Sequence, residues 1–132
     1  MSLQIEATVK TPKVIFDSSN GLISISGISI PEDMQGTSFV SQLHSNSPEV
    51  RDAVYYHYYE YPSVHMVKRH YAIVTKEFKL IHFYYDVDEW ELYDRLKDPQ
   101  EMNNVYADPV YSEVVAKLHG KLDELRVKYK DS

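Results

Sequence analysis

The sequence predicts an α+β fold, an antiparallel β-sheet packed against a C-terminal α-helix. Two observations carry this. Between residues 53 and 94, four short runs rich in β-branched and aromatic residues alternate with turn chemistry, and one link is only two residues long. After Asp108-Pro109 the period changes, and apolar residues recur every three or four positions almost to the end of the chain. At 132 residues and 43% hydrophobic content, the chain is read as a single domain, 1–132, with one modest core.

The elements follow in order. Residues 4–30 are read as an N-terminal β-hairpin. Leu3–Val9 and Lys13–Asp17 form strands, Ser18-Ser19-Asn20-Gly21 is the turn, because Asn-Gly tolerates positive φ, and Leu22–Ser26 alternates apolar and serine positions as a half-buried strand does. Pro31 to Pro48 is connection, with a short helix at Thr37–Leu43. Four strands follow, at Ala53–Glu60, Val67–Thr75, Lys79–Tyr84 and Trp90–Asp94. Lys76-Glu77 makes the middle pair an antiparallel hairpin, and Asp86-Val87-Asp88-Glu89 makes the next turn, read as a solvated acidic one. Lys97-Asp98-Pro99 and Asn103-Asn104 mark a polar loop. The last helix is capped by Asp108, starts with Pro109, and carries the stripe Val110, Val114, Leu118, Leu122, Leu125 and Tyr129. Lys128 and Lys130 complement its dipole.

Composition removes several function classes. A net charge of -6 and a pI near 5.4 argue against a general nucleic-acid or membrane-surface partner. No apolar run approaches the roughly 18 residues that suggest a membrane span. With no cysteine there is no disulfide framework, cysteine zinc site or cysteine nucleophile. His57, His65, His70 and His82 lie on or beside strands without a close pair, so they are read as locally hydrogen-bonded residues and no metal site is expected. No nucleophile elbow supports Ser–His–Asp chemistry.

The densest chemistry lies in Tyr55–Tyr71. It gathers Tyr55, Tyr56, Tyr58, Tyr59, Tyr61 and Tyr71 with His57, His65, His70, Lys68 and Arg69. Tyrosine and histidine each offer an apolar body and a polar tip, which suits the lining of a polar-ligand cleft. Alternation along the strand sends about half of these tyrosines into the core. Lys68 and Arg69 have Glu60 and Glu77 as cross-strand partners in this reading.

This run resembles the C-terminal region of bacterial type I sulfatases of the glycan, N-acetylglucosamine-6-sulfatase-like kind. The resemblance continues through Ala72–Thr75, Phe78–Ile81, Glu91–Asp94 and Lys97–Asn104, and begins near Gly27–Phe39, giving residues 31–132 the standing of a sulfatase C-terminal subdomain. Residues 4–30 instead resemble the opening hairpin of SiaC-like bacterial regulatory phosphoproteins, through Ile5–Thr8, Lys10–Pro12, Phe16-Asp17, Leu22–Gly27 and Ser29–Glu32. That pair of resemblances implies a fusion with its junction between Gly27 and Asp33.

The sulfatase resemblance implies a catalytic Cys or Ser in a Cys/Ser-x-Pro-x-Arg context, oxidised to formylglycine, and a divalent metal, usually calcium. Neither motif is present in these residues; Tyr61-Pro62-Ser63-Val64 lacks both the nucleophile and the arginine. No catalytic residue and no cofactor are therefore expected here. In the family this subdomain packs on the catalytic domain and its loops help form the glycan pocket. The resemblance thus implies sugar contacts at His65, Arg69 and His70, a sulfated glycan as ligand, and a periplasmic or secreted location for the parent enzyme. Tyrosine-rich strands left without their catalytic domain would favour a homo-oligomer. Three functions stand: a non-catalytic sulfatase fragment first, then a regulatory or interaction module acting through the hairpin, then a small carbohydrate-binding domain.

Overall fold

The computed structural model describes residues 17–30, 36–38, 40, 43, 51–62 and 66–131. The chain divides into two units, Met1–Val50 and Arg51–Ser132.

In the first unit, α1 spans Asp17–Ser26. This corrects the expected turn at 18–21 and strand at 22–26; the two earlier strands of the expected hairpin lie almost wholly outside the described residues. An alternation as short as Ile23-Ser24-Ile25 fits a helix as well as a strand, since Leu22 and Ile25 are also one helical turn apart. The deciding signal is Gly27. It sits at φ +74° and its amide donates to Ser24 O at 3.2 Å, the left-handed stop that glycine supplies at a helix end. Ser26 Oγ donates back to Ile23 O at 2.7 Å. Of the helix expected at Thr37–Leu43, Val40 and Leu43 are helical, and the Val40 amide donates to Ser38 Oγ at 3.3 Å, as a serine N-cap would accept it.

The second unit is the expected α+β layer pair. Strands β1 (Ala53–Tyr58), β2 (His70–Thr75), β3 (Phe78–Phe83) and β4 (Glu89–Asp94) form an antiparallel meander in that order. β2 starts three residues later than expected: Met66 takes φ 51°, and the chain enters the strand only at His70. Period-two alternation sorts the faces. Tyr55, Ile73, Leu80 and Leu92 are directly opposite one another across the sheet, and the next row on the same face is His57, Tyr71, His82 and Trp90. The other face carries Tyr56, Ala72, Ile81 and Glu91 in one row and Tyr58, His70, Phe83 and Glu89 in the next.

One helix covers the first face. Asp108 Oδ1 accepts the Val110 amide at 2.9 Å, and Pro109 opens a short 3-10 turn, Pro109–Tyr111, that leads into α2 (Ser112–Tyr129). The tighter opening turn carries Val110 off the stripe, where it is 80% exposed, which corrects its expected core position. Leu118 and Leu122 are buried over Ile73, Leu80 and Leu92, with Val114 and Leu125 packed alongside. Lys130 ends the helix at φ 56° and ψ 37°, and the Asp131 amide donates to Arg126 O at 3.0 Å. Arg126 and Lys128 are the cations of the last turn; Lys130 serves as its cap.

The outer edge of β4 is covered by the loop that follows it. The Leu92 amide donates to Asn104 Oδ1 at 3.0 Å, the Val105 amide to Leu92 O at 2.9 Å, and Asn104 Nδ2 to Trp90 O at 3.2 Å. Asp94, buried, accepts the Leu96 and Lys97 amides and the Tyr111 hydroxyl, so it joins the end of β4 to the start of the helix. Burial alone would raise its carboxyl; the Lys97 amide and side chain and Tyr111 outweigh that and hold it below the ordinary value.

The packing sets a stability test. Leu118→Ala and Leu122→Ala should each cost about 2–5 kcal/mol as cavities in the core. A domain of this size holds only about 5–15 kcal/mol in total, so the double variant should be largely unfolded by circular dichroism. Lys117→Ala, on the exposed side of α2, should melt with the parent. A double-leucine variant melting close to the parent would mean the helix does not hold the sheet.

Candidate functional site

Two connections meet at one end of the sheet: residues 59–62 and 66–69, between β1 and β2, and residues 84–88, joining β3 to β4. The Tyr84 amide donates to Arg69 O at 3.1 Å, and Lys68 Nζ lies 3.3 Å from Asp86 Oδ2. The sequence pairs Lys68 with Glu60 or Glu77; the structure pairs it with Asp86, because the turn folds back over the strand entrance.

Beneath these loops, the second row of the helix-covered face is polar and fully engaged. Asp131, just past α2, accepts His57 Nδ1 at 2.6 Å, Tyr59 OH at 3.0 Å and the Tyr55 hydroxyl. A carboxylate can only accept, so the proton sits on His57 Nδ1, and Nε2 accepts from Tyr84 OH at 2.6 Å. The same logic orders the neighbouring chain. His82 Nε2 donates to Asp88 Oδ1 at 2.7 Å, Tyr71 OH donates to His82 Nδ1 at 2.6 Å, and Arg126 Nη1 donates to Tyr71 OH at 3.3 Å. Trp90 stacks on His82, with centroids 4.0 Å apart and planes at 7°. On its other flank Trp90 meets His119 at 4.1 Å, and Tyr106 OH and His119 Nε2 are 3.1 Å apart.

These surroundings fix the chemistry available. Burial raises Tyr71 and Tyr84, and burial together with the Asp131 carboxylate raises Tyr55 and Tyr59. All four remain protonated donors at neutral pH, so none supplies a phenolate nucleophile. Burial lowers His119, keeping its imidazole neutral. Among the described residues no group of three or more His, Asp or Glu is placed to hold a metal ion.

The site residues expected from sequence fall as follows. His65 lies outside the described residues. Arg69 donates from Nη2 to Tyr61 O at 3.0 Å and holds its guanidinium 4.5 Å from the Tyr85 ring centroid. His70 donates from Nδ1 to Lys68 O at 2.8 Å, and its ring sits among Tyr58 at 5.4 Å, Phe83 at 5.1 Å and Tyr56 at 5.6 Å. Strand alternation puts His70 on the face away from α2, so it and the His57–Tyr84 chain are on opposite sides of the sheet. Arg69 and His70 are both half-buried at this end of the sheet. The sequence reading places Asp88 only in a solvated acidic turn and passes over Tyr85 and Asp131. Tyr85 stands at φ 85° and is 78% exposed, and a shallow cleft of about 480 Å³ opens beside it, lined by His82, Tyr84, Tyr85, Asp86, Val87 and Asp88. The adjacency of two tyrosines to two aspartates in Tyr84–Asp88 was the available signal.

Comparison with known proteins relates the chain to sulfatases. The family described as N-sulphoglucosamine sulphohydrolase, C-terminal, matches residues 3–128, a span that includes most of the residues likened above to a SiaC-like hairpin. An N-acetylglucosamine-6-O-sulfatase of Bacteroides thetaiotaomicron is 46% identical over 113 residues, which are 83% of this chain and 20% of that protein. The chain thus spans about a fifth of its curated relative's length. A structure solved in complex with its substrate D-glucosamine-2-N,6-O-disulfate superposes with a TM-score of 0.84 at 45% identity, over 88% of this chain and 24% of the other. A phosphonate monoester hydrolase of Agrobacterium radiobacter gives a TM-score of 0.68 at 27% identity, over 85% and 24%.

The Asp131 junction yields a pH prediction. Burial would raise its carboxyl, but the bonds from Tyr55, His57 and Tyr59 outweigh that and hold it below the ordinary 3.8. A depressed carboxyl stabilises the fold fully above its unfolded value and loses that contribution as pH falls through its folded value. Thermal melts should therefore weaken below about pH 4. Asp131→Asn should cost about 1–3 kcal/mol at neutral pH and flatten that acid limb. Parallel pH profiles for the two proteins would refute the role given to Asp131.

Proposed function

The chain belongs to the N-sulphoglucosamine sulphohydrolase C-terminal family, and from that premise we propose that it acts as the non-catalytic, substrate-side subdomain of a glucosamine-directed sulfatase. The carrying observation is the 46% identity to an N-acetylglucosamine-6-O-sulfatase over a region that is only a fifth of that enzyme. The chemistry of these residues supports the reading. There is no cysteine to become formylglycine, no serine stands in a Ser-x-Pro-x-Arg context, and Tyr55, Tyr59, Tyr71 and Tyr84 are held as protonated donors. What the chain brings instead is a rigid sheet end on which loop side chains are fixed from below. A rigid support of that kind orients a glycan against a sulfate-cleaving centre supplied elsewhere. The complex of the related structure with a sulfated glucosamine supports a sulfated glycan as the ligand class.

Two measurements test this. The purified chain should show no turnover of 4-nitrophenyl sulfate or N-acetylglucosamine-6-sulfate, with or without calcium. Turnover that persists to homogeneity and disappears in His65→Ala would overturn the non-catalytic assignment. Conversely, grafting this chain in place of the matching C-terminal segment of the Bacteroides relative should give an enzyme that still hydrolyses N-acetylglucosamine-6-sulfate. A folded but inactive chimera would count against the substrate-side role.

A further inference from the structure

We propose that the cleft beside the β3–β4 turn is a binding subsite for a neutral, hydroxyl-bearing pyranose, an unsulfated sugar neighbouring the sulfated one in the same glycan. This rests on the substrate-side role proposed above and names a second contact for it. The cleft lies at the same sheet end as the β1–β2 loop, tied to it by the Tyr84 amide on Arg69 O at 3.1 Å and by Lys68 on Asp86 at 3.3 Å.

Its lining has the chemistry a sugar ring needs. The Tyr85 ring is 78% exposed, yet it is fixed in place by the Arg69 guanidinium 4.5 Å from its centroid. An anchored, exposed aromatic offers an apolar face to the C–H side of a pyranose at little conformational cost. The carboxylates of Asp86 and Asp88 are acceptors only, and each is already oriented by one partner, Lys68 or His82. The Asp88 side chain remains 87% exposed and the Asp86 side chain 30%, so both keep lone pairs open to sugar hydroxyls. The cleft, of about 480 Å³, is shallow and open to solvent, so a sugar would lie against it with one side exposed.

The carboxylates that line the cleft are Asp86 and Asp88; Lys68 Nζ lies 3.3 Å from Asp86, and the Arg69 guanidinium lies 4.5 Å from the Tyr85 ring centroid. Asp88, the more exposed carboxylate, disfavours an anion placed directly beside it, and this favours the unsulfated sugar at that position.

The molecule carries its own probe. Trp90 is the only tryptophan and stacks 4.0 Å from His82, whose Nε2 holds Asp88. Titration of the purified chain with N,N′-diacetylchitobiose should give a saturable change in tryptophan emission and amide shifts at Tyr85–Asp88, with a Kd of about 1 mM. Tyr85→Ala and Asp88→Asn should each weaken it by about tenfold or more, whereas Tyr85→Phe, which keeps the ring, should bind as the parent does. N-acetylglucosamine-6-sulfate should not shift Tyr85–Asp88. No saturable response, an unchanged Kd in a folded Tyr85→Ala variant, or equal shifts from the sulfated sugar would each overturn the proposal. An inactive sulfatase chimera whose chitobiose binding is intact would sink the substrate-side role and leave the cleft standing; an active chimera without that binding would sink the cleft alone.

Discussion

Ile73, Leu80 and Leu92 are fully buried and lie opposite one another across β2, β3 and β4, under Leu118 and Leu122 of the helix. That apolar row fixes the register of the sheet. Because side chains alternate with period two, a slip of one residue in any strand would send its member of the row to the opposite face. The row that follows on the same face, His57, Tyr71, His82 and Trp90, is therefore aligned by hydrophobic packing one row away. Its hydrogen bonds need donors and acceptors within a few tenths of an ångström. The nonspecific force of burial supplies the alignment, and the directional bonds then select a single arrangement.

Much of this layer was legible in the sequence because its signals are local. The two-residue link Lys76-Glu77 set the β2–β3 hairpin, Asp108-Pro109 marked the start of the last helical segment, and the spacing of Leu118 and Leu122 marked its buried face. The family membership was legible too, from short runs spread over the second unit. The failure at α1 has an equally local origin. Asn20-Gly21 and the brief Ile-Ser alternation weighed as hairpin signals, while Gly27, the residue that stops the helix, was read only as part of a fusion motif.

The site was harder to see, for a different reason. His57 and Asp131 are 74 positions apart, and only the folded helix brings them together. Histidine, tyrosine and aspartate each look like ordinary surface or core residues when read one at a time. Arg69 and His70 drew attention through family likeness. The fold gives them internal partners, Tyr61 and Lys68, and gives the exposed positions to Tyr85 and Asp88. The register of the strands decides which side chains face outward, and the positive φ at Met66, which no propensity argument foresees, precedes the late start of β2.

The bonds that Asn104 and Val105 make to Trp90 and Leu92 give the sheet a direction of growth. A side-chain amide and one backbone amide occupy the donors and acceptors that another strand would need, so β4 is closed to templating by a further chain. The hydrogen-bonding rim that β1 turns away from β2 carries no such plug among the bonds described. Among the described residues, a loop asparagine and the Val105 amide thus close one border of a small open sheet, without a gatekeeper charge in the strand itself.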